Sequence, residues 1–391
     1  MRILYIGQFR LPNYDAAAAR VLNIARSLRL AGHNVSFISW GGEMREEDKC
    51  IDGSYRVDGF PYVVTNELDF QGGKITKAIG WVRRGNKTKA LMREWQGRFD
   101  TVITYGGVLA SWLLRFCDRN RIHLIADLTE WNSYKEMSLV QRPWYFINMH
   151  LILPRVQNKI LISRYLNRCF EGSNNIIVPA TCDASEEKWH VGREKAQIKA
   201  HPFDGVTLIY AGTPARKDAL HYVIAAVDRV AEEGGRIRFL ILGCEKDDYL
   251  SKNHNCLSRG ELDYGVQFLG RVLQDEVPAF YALADFMVLL REQTRKSNAG
   301  FPTKFSESFI SGTPVIANLT SDIGDYLIDG ETGFVVDEPS EEAVYGVIHN
   351  KVLNLNREEI NKMKQTVATV AKKLDYHAYV EPLNAFINHL K

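Results

Sequence analysis

The chain has 391 residues, of which 46% are hydrophobic and 25% are charged, and its formal net charge is +2. This length exceeds what one hydrophobic core usually supports, and the composition excludes a disordered or fibrous protein. A net charge near zero provides no global field that attracts nucleic acid, so nucleic acid is not expected as a partner.

The chain shows no pattern typical of a secreted or membrane-spanning protein. Its six cysteines form no C-x-x-C pair, so neither a zinc site nor a disulfide framework is expected, and a reducing cytoplasm fits this usage. The apolar run at residues 1–9 is too short for a signal peptide. The longest apolar stretch, residues 144–153, is half of the roughly 20 residues that span a bilayer. We therefore expect a cytoplasmic protein.

The first half of the chain alternates between predicted strands and helices. Residues 3–6 form a buried strand, residues 21–28 place apolar side chains on one helical face, and residues 35–39 form the next strand. This βαβ order predicts a parallel sheet. Further strands are predicted at residues 101–104, 124–126, 159–163 and 175–178. One doubly wound domain is expected over residues 1–183.

A second βα series follows a polar stretch at residues 185–202, which is interpreted as a linker or surface excursion. Its strands are predicted at residues 206–210, 238–242, 266–269, 286–290, 315–317 and 333–336. A second domain is expected over residues 184–375, and a final helical segment, residues 376–391, is expected to pack back on the first domain. The predicted fold class is α/β, with two Rossmann-like doubly wound domains facing across a cleft, where ligands of open α/β sheets bind.

The stretch at residues 301–318 is the most informative. Pro302 is expected to open a short helix that Gly312 closes, and backbone N–H groups over residues 298–304 would then face an anion. Lys304 adds a positive charge, and Glu307, three residues later on the same face, can accept hydrogen bonds from two vicinal hydroxyls. The alternative is a surface helix with a weak Lys–Glu ion pair.

A second cluster lies at residues 209–220, where a strand leads through Gly212 toward a helix that opens near Arg216 and Lys217. Two cations at the carboxyl end of a strand could neutralise the charge on a leaving diphosphate without a metal ion. The alternative is a solvated pair of charges at a helix start.

Taken in order, these motifs resemble the retaining glycosyltransferases of family four, which have the GT-B architecture, over nearly the whole chain. The matching pieces are GQFRLP, AGHNV, VPATCD, YAGTPARKDAL, FLGRV, ADFMVLL, PTKFSESFISGTPVIA and DGETGFVV. The Pro-Thr-Lys-Phe-x-Glu form of the donor motif is similar to one subgroup of that family.

The resemblance implies a role for each part of a donor site. Glu307 would bind the donor ribose, Arg216 and Lys217 the diphosphate, and the backbone near Arg271 and Val272 the nucleobase. Gly212 and Lys304 belong to the same expected site. The phosphates would lie against four consecutive residues, Asn298, Ala299, Gly300 and Phe301.

Two positions depart from the family pattern. Ala299 stands where the family often has a first glutamate, and residues 16–19 are alanines where glycines usually let the backbone approach phosphate. Asp15 is expected to cap the following helix, with Arg20 pointing toward the cleft or toward solvent. These departures keep open a catalytically silent, nucleotide-sugar-binding partner subunit, and the fold also leaves open a nucleotide-sugar epimerase.

Acceptor chemistry is expected near Asp127 and Glu130, which follow a predicted buried strand and could orient or deprotonate a hydroxyl. The alternative is that these carboxylates cap the next helix and that Trp131 is ordinary packing.

A cationic patch lies between Lys74 and Arg98, with Glu94 as its only acid and Ile79, Trp81 and Val82 among its basic residues. This pattern is typical of a surface that touches anionic membrane, although a solvated helix face or a site for a soluble anionic acceptor would also explain it. Residues 144–153 are a second aromatic stretch that could touch lipid but is more often core.

The sequence thus predicts a glycosyltransferase that moves a sugar from a nucleoside-diphosphate sugar to a hydroxyl. Retention of configuration is implied by the resemblance. The expected acceptor is a glycan, a glycolipid or a lipid-linked oligosaccharide of cell-surface polysaccharide synthesis. Neither a cofactor nor a metal is expected, and the protein could sit at the inner face of the membrane.

Overall fold

The computed structural model describes residues 1–12, 15–68, 73, 80, 83–134, 137–139, 141–190, 196, 199–214, 218–252 and 265–390. The chain divides into two compact units. Unit 1 comprises Met1–Thr181 and Tyr376–Lys391, and unit 2 comprises Cys182–Asp375. The boundary expected after residue 183 lies two residues from this division, and the last 16 residues belong to unit 1.

Unit 1 is built on an eight-stranded sheet. The strands are β1 (Arg2–Leu11), β2 (Asn34–Gly42), β3 (Arg56–Val57), β4 (Phe60–Val64), β5 (Thr101–Tyr105), β6 (His123–Leu128), β7 (Asn158–Leu161) and β8 (Asn174–Ile177). Their order is β3-β4-β2-β1-β5-β6-β7-β8, and all neighbours are parallel except β3 and β4. The apolar pattern predicted six of these strands and missed β3 and β4, a hairpin of two and five residues whose turn uses positive φ angles at Asp58 and Gly59.

Several helices of the described residues accompany this sheet. They are α1 (Ala16–Leu30), α2 (Asn86–Glu94), α3 (Ala110–Asn120), α4 (Gln141–Ile147) and α5 (Arg164–Cys169), and a π-helical turn, Asn148–Ile152, continues α4. The expected cap of α1 is confirmed, because the Asp15 carboxylate accepts a 2.7 Å hydrogen bond from the backbone N–H of Ala18. The apolar face of α1 packs on β1 and β2 in the core of this unit.

Unit 2 contains a six-stranded, fully parallel sheet. Its strands are β9 (Val206–Ala211), β10 (Ile237–Leu242), β11 (Val266–Phe268), β12 (Phe286–Leu289), β13 (Val315–Ala317) and β14 (Gly333–Val335), in the order β11-β10-β9-β12-β13-β14. The helices are α6 (Leu220–Glu232), α7 (Lys246–Lys252), α8 (Val277–Leu283), α9 (Arg295–Ala299), α10 (Thr303–Ile310), α11 (Glu341–Asn350) and α12 (Arg357–Val370). A last helix, α13 (Val380–Asn388), packs on α1 in unit 1.

The described part of the polar stretch at residues 185–202 packs into unit 2 and is not an exposed linker. Trp189 is buried and donates a 2.6 Å hydrogen bond to the carbonyl of Asp183, and Ala196 and Ala200 are also buried. The few apolar residues of this stretch lack a regular period, so the sequence pattern did not reveal that they pack into unit 2.

The strand order of unit 2 reverses between β9 and β12, which are hydrogen-bonded neighbours. In open parallel sheets, ligands bind beyond the carboxyl ends of the strands at such a switch point. The loops that follow β9 and β12 are therefore the first place to look for a site.

Candidate functional site

Lys304 reaches the carboxyl end of β9 from the first turn of α10. Its Nζ donates a 2.6 Å hydrogen bond to the Tyr210 hydroxyl, lies 4.0 Å from the centre of that ring, and is 3.6 Å from Asp218 Oδ2. The side chain keeps 22% of its surface exposed. The ammonium is thus held in place by an aromatic face and a carboxylate while part of it still meets solvent.

The Asp218 side chain contacts one residue of β9 and one residue just beyond β12. Its carboxylate accepts a 2.9 Å hydrogen bond from Tyr210 and lies 3.8 Å from Nε of Arg291. Arg291 directly follows Leu290 beyond β12, and its backbone is fixed by two hydrogen bonds with the Asn318 side chain, of 2.8 and 2.7 Å. Burial lowers the pKa of Arg291, an effect that Asp218 opposes, and burial and Asp218 together raise the pKa of Tyr210.

The charges of Lys304, Asp218 and Arg291 sum to +1 at the switch point. Two cations share one buried carboxylate, so this group of side chains can accept an anion. Sequence reasoning identified Lys304 but missed Asp218 and Arg291. Their position was the available signal. Asp218 lies in the loop after β9 and Arg291 lies just beyond β12, at the carboxyl edge of the sheet.

Gly212 makes the position of Lys304 sterically possible. Its φ angle is +126°, and a Cβ added there would lie 2.7 Å from Cε and 2.9 Å from Nζ of Lys304. Gly243, at the end of β10, has a φ angle of +107°, and an added Cβ would lie 2.5 Å from the carbonyl carbon of Gly212. The loops after β9 and β10 therefore approach each other through backbone alone, as required where a ligand lies close to the chain.

Glu307 lies one turn after Lys304 on α10 and is half-buried. Desolvation raises the pKa of its carboxyl to about 7, against the opposing charges of Lys188 and Lys304. The group therefore changes charge near neutral pH, which is common for functional carboxyls.

The predicted anion site over residues 298–304 is wrong in part. The N–H of Asn298 donates to the carbonyl of Thr294 at 3.0 Å, and the N–H of Gly300 donates to that of Lys296 at 3.1 Å. These residues belong to α9, whose start is closed by a Thr294–Ser297 capping box, and its end by Gly300. The pattern did not reveal this extra helical turn because it is only five residues long.

Ala299 and Phe301 are buried, at 0% and 6% exposure, and the Phe301 ring packs edge-on against Phe305 and Tyr326. Their side chains serve the core of unit 2. The helix that does open toward the switch point is α10, where Pro302 supplies no side-chain cap.

Four further residues were predicted to bind the donor. Arg271 is exposed and Val272 half-buried in the loop after β11. Arg216 and Lys217 lie outside the described residues, between Pro214 and Asp218, so their predicted contact with a diphosphate stays a prediction.

Residues 205–350 match the family model described as Glycosyl transferases group 1. The matched range holds all six strands of unit 2 and the cluster of Lys304, Asp218 and Arg291. This range of unit 2, which resembles a group 1 glycosyl transferase domain, is called the group 1 domain below. A comparison with curated proteins found no match.

Solved structures resemble the whole chain, not the group 1 domain alone. Sucrose-phosphate synthase from Thermosynechococcus elongatus is 14% identical, with 99% of this chain and 98% of that chain covered and a TM-score of 0.76. Anabaena Alr3699/HepE, in complex with UDP and glucose, is 15% identical over 100% of both chains, with a TM-score of 0.70. Trehalose-6-phosphate synthase OtsA is 11% identical over 100% of both chains, with a TM-score of 0.74. The predicted fold class, two α/β domains with parallel sheets as in GT-B glycosyltransferases, is confirmed.

Outside the group 1 domain, Asp127 is not placed as the sequence suggested. It lies within β6, not beyond it, and its side chain is fully buried against Arg20, with a 2.7 Å contact between Arg20 Nη2 and Asp127 Oδ1. Tyr5 donates a 2.5 Å hydrogen bond to the other oxygen. Arg20, expected to face the cleft or solvent, points instead into unit 1, where the buried carboxylate of Asp127 offsets its charge.

Glu130 is exposed two residues beyond β6, and Trp131 is buried against Phe170. Of the two acidic residues, Glu130 is the one whose side chain is accessible to an acceptor.

Within the part of the chain that the structure describes, no group of three or more His, Cys, Asp or Glu side chains is arranged to hold a metal ion. Across those same residues, no helix combines the length and the apolar character needed to cross a membrane.

Proposed function

We propose that the chain is a retaining glycosyltransferase that moves a sugar from a nucleoside-diphosphate sugar to a hydroxyl acceptor. The observation that carries this proposal is the cluster of Lys304, Asp218 and Arg291 at the switch point of a group 1 domain. Fixed cations of this kind stabilise the charge that develops on a leaving diphosphate without reorganising during the reaction.

In this proposal each residue has one task. Lys304, together with Arg216 and Lys217, neutralises the diphosphate, and Asp218 holds Lys304 in place. Glu307 accepts hydrogen bonds from the ribose, and the backbone at Arg271 and Val272 lies against the base. On the acceptor side, Glu130 orients the hydroxyl. No cofactor or metal ion takes part.

The first donors to test are UDP sugars, since Alr3699/HepE is similar in fold and binds UDP-glucose. The proposed acceptor is a glycan, a glycolipid or a lipid-linked oligosaccharide of cell-surface polysaccharide synthesis, met in the cytoplasm or at the inner face of the membrane. Of the predicted cationic patch between Lys74 and Arg98, residues 74–79, 81 and 82 lie outside the described residues, among them the apolar Ile79, Trp81 and Val82. Contact of this patch with a membrane stays a prediction.

The test is nucleotide release from a panel of UDP, GDP and ADP sugars, with the wild type, Gly212→Ala and Gly330→Ala. Both glycines have a positive φ angle, but an added Cβ meets Lys304 at Gly212 and nothing within 4 Å at Gly330. We expect Gly212→Ala to lower kcat/KM about tenfold or more, because Lys304 is displaced, and Gly330→Ala to change it little.

No released nucleotide from any donor, with nucleotide binding retained, would reject catalysis by this chain. It would favour the second candidate, a nucleotide-sugar-binding partner subunit. One observation supports that candidate: Ala299, at the place of the family's first glutamate, is fully buried and offers no polar group to a sugar.

A further inference from the structure

The segment comprising residues 137–139 and 141–156, hereafter the anchor segment, leaves an unusual amount of apolar surface uncovered in unit 1. Thirteen large hydrophobic side chains are exposed among the described residues, and five of them lie in this segment. They are Leu139 at 75% exposure, Trp144 at 51%, Phe146 at 49%, Ile147 at 38% and Leu151 at 53%.

The anchor segment is apolar on two sides, and the protein covers only one. Met149, Leu153 and Val156 are buried, at 4%, 0% and 1% exposure, and they fix the segment to unit 1. Trp144, Ile147 and Leu151 follow one another at spacings of three and four along α4 and its π-helical continuation, so they share the opposite, exposed face. Exposed apolar side chains gathered on one face usually mark an interaction surface.

The charges of the anchor segment indicate which partner. It contains Arg142 and Arg155 and no aspartate or glutamate, and the sequence has no acid at all between Glu136 and Glu171. Arg155 is exposed. Aromatic and aliphatic anchors accompanied within the segment by cations and by no carboxylate match a lipid surface with anionic head groups, whereas the rim of a protein interface usually mixes both signs.

We propose that the anchor segment docks unit 1 on an anionic lipid surface, with Trp144, Ile147 and Leu151 inserted among the head groups. The segment begins about ten residues beyond the carboxyl end of β6, where Glu130 is exposed. Docking here brings a lipid-linked acceptor to the acceptor-side loop of unit 1. This last consequence rests on the proposed function, whereas docking itself does not.

The test is co-sedimentation of the full chain with vesicles, without nucleotide. Vesicles of phosphatidylcholine alone are compared with vesicles of phosphatidylcholine and phosphatidylglycerol. The variants are the double substitution Trp144→Gln with Leu151→Gln and a matched control, Leu273→Gln with Leu319→Gln, which removes two exposed leucines of unit 2.

We expect the wild type and the control to bind the anionic vesicles, with weaker binding at high salt, and the Trp144/Leu151 variant to lose about tenfold or more in partitioning. Unchanged thermal unfolding shows that the variant is folded. The proposal is overturned if the wild type binds neither vesicle, if it binds both equally, or if both double variants bind alike.

Sedimentation velocity without lipid identifies the rival occupant. A wild-type dimer that the Trp144/Leu151 variant abolishes, together with no vesicle binding, would assign this face to a second copy of the chain and overturn the proposal. Neither result affects nucleotide release, so docking and transfer can fail separately.

Discussion

At the scale of single residues, Glu307 connects the candidate donor site to the pH dependence of stability. Its carboxyl is half-buried, and desolvation raises its pKa to about 7. Between the unfolded and the folded pKa, a carboxyl whose pKa is raised on folding keeps its proton in the folded state, whereas the unfolded chain has released it. Stability therefore falls as pH rises from the unfolded pKa, about 4.3, to about 7, and the full penalty remains above that range.

Replacing Glu307 with glutamine should remove this penalty. We expect Glu307→Gln to raise the free energy of unfolding at about pH 8 by about 2 kcal/mol relative to the wild type, and to have little effect at about pH 3, where the carboxyl is protonated in both states. This stability difference is smaller than the pKa shift alone would give, because the half-buried carboxyl still meets water. Urea unfolding at both pH values measures this. The same variant should weaken nucleotide binding if Glu307 holds the ribose.

The exposed Glu331 serves as the control for Glu307. Glu331→Gln should leave both stability and nucleotide binding unchanged. An equal stability difference for Glu307→Gln at the two pH values would contradict the raised pKa.

Asp127 is the second residue whose environment defines a prediction. It is the buried counter-charge of Arg20 and accepts a hydrogen bond from Tyr5. Asp127→Asn leaves the guanidinium buried without a compensating charge, which should lower the free energy of unfolding by about 3–5 kcal/mol. Chemical denaturation measures it.

The exposed pair Arg2–Asp100 is the matched comparison, with side chains 50% and 44% exposed. Asp100→Asn should cost less than about 1 kcal/mol, because solvent screens such pairs. If Asp127→Asn instead kept its stability and lost only transfer activity, Asp127 would act on the acceptor, as the sequence suggested.

At the scale of elements, α1 carries a buried polar stripe that fixes both ends of unit 1. Arg20 Nη1 donates to the carbonyls of Val178 and Pro179 at 2.8 and 3.0 Å, and Asn23 donates to that of Thr181 at 2.6 Å. One turn later the Ser27 hydroxyl donates to the carbonyl of Tyr376 at 2.8 Å. Unit 1 ends at Thr181 and resumes at Tyr376, so one helix holds both points.

Removing the middle group of this stripe should loosen the end of unit 1. We expect Asn23→Ala to lower the free energy of unfolding by about 1–3 kcal/mol, since a buried carbonyl and the Arg26 guanidinium lose a partner. Hydrogen exchange should show faster exchange of amides near Thr181. Asn34→Ala, at an exposed position at the start of β2, is the control. Identical exchange of these amides in the two variants would show that α1 does not stabilise the chain near Thr181.

At the scale of the whole molecule, unit 1 and unit 2 are separate compact units with their own sheets. The candidate donor residues all lie in unit 2, whereas Glu130 and the anchor segment lie in unit 1. A ligand that binds only one folded unit stabilises that unit by mass action.

We therefore expect a saturating nucleoside diphosphate to slow hydrogen exchange mainly in the strands of unit 2. At about 100 times Kd, the added protection is about 2.7 kcal/mol. Exchange measured by mass spectrometry, with and without nucleotide, separates the two units. Protection confined to β1–β8 would place the nucleotide in unit 1 and contradict the assigned site. Lys304→Met, which removes one cation, should reduce the protection of unit 2.

The sequence by itself determined the two-domain α/β fold. Runs of buried apolar residues recur at the spacing of βα units, and each strand predicted from them overlaps a strand of the structure. Gly212, Lys304 and Glu307 were identifiable for the same reason, since they follow strands or share a helical face over a few residues. Local pattern carries this information because hydrogen bonding in helices, and side-chain alternation in strands, depend on near neighbours.

Only the tertiary structure decided which charges meet. The partners of Asp218 are Arg291, 73 residues away, and Lys304, 86 away, and Arg20 meets Asp127 across 107 residues. No period or spacing encodes such pairs, because they depend on strand order and on which helix packs over which strand end. The exposure of Trp144 and Leu151 could not be predicted from the sequence for a similar reason. An aromatic and aliphatic stretch is usually part of the core, and only the structure shows which of its faces the protein leaves uncovered.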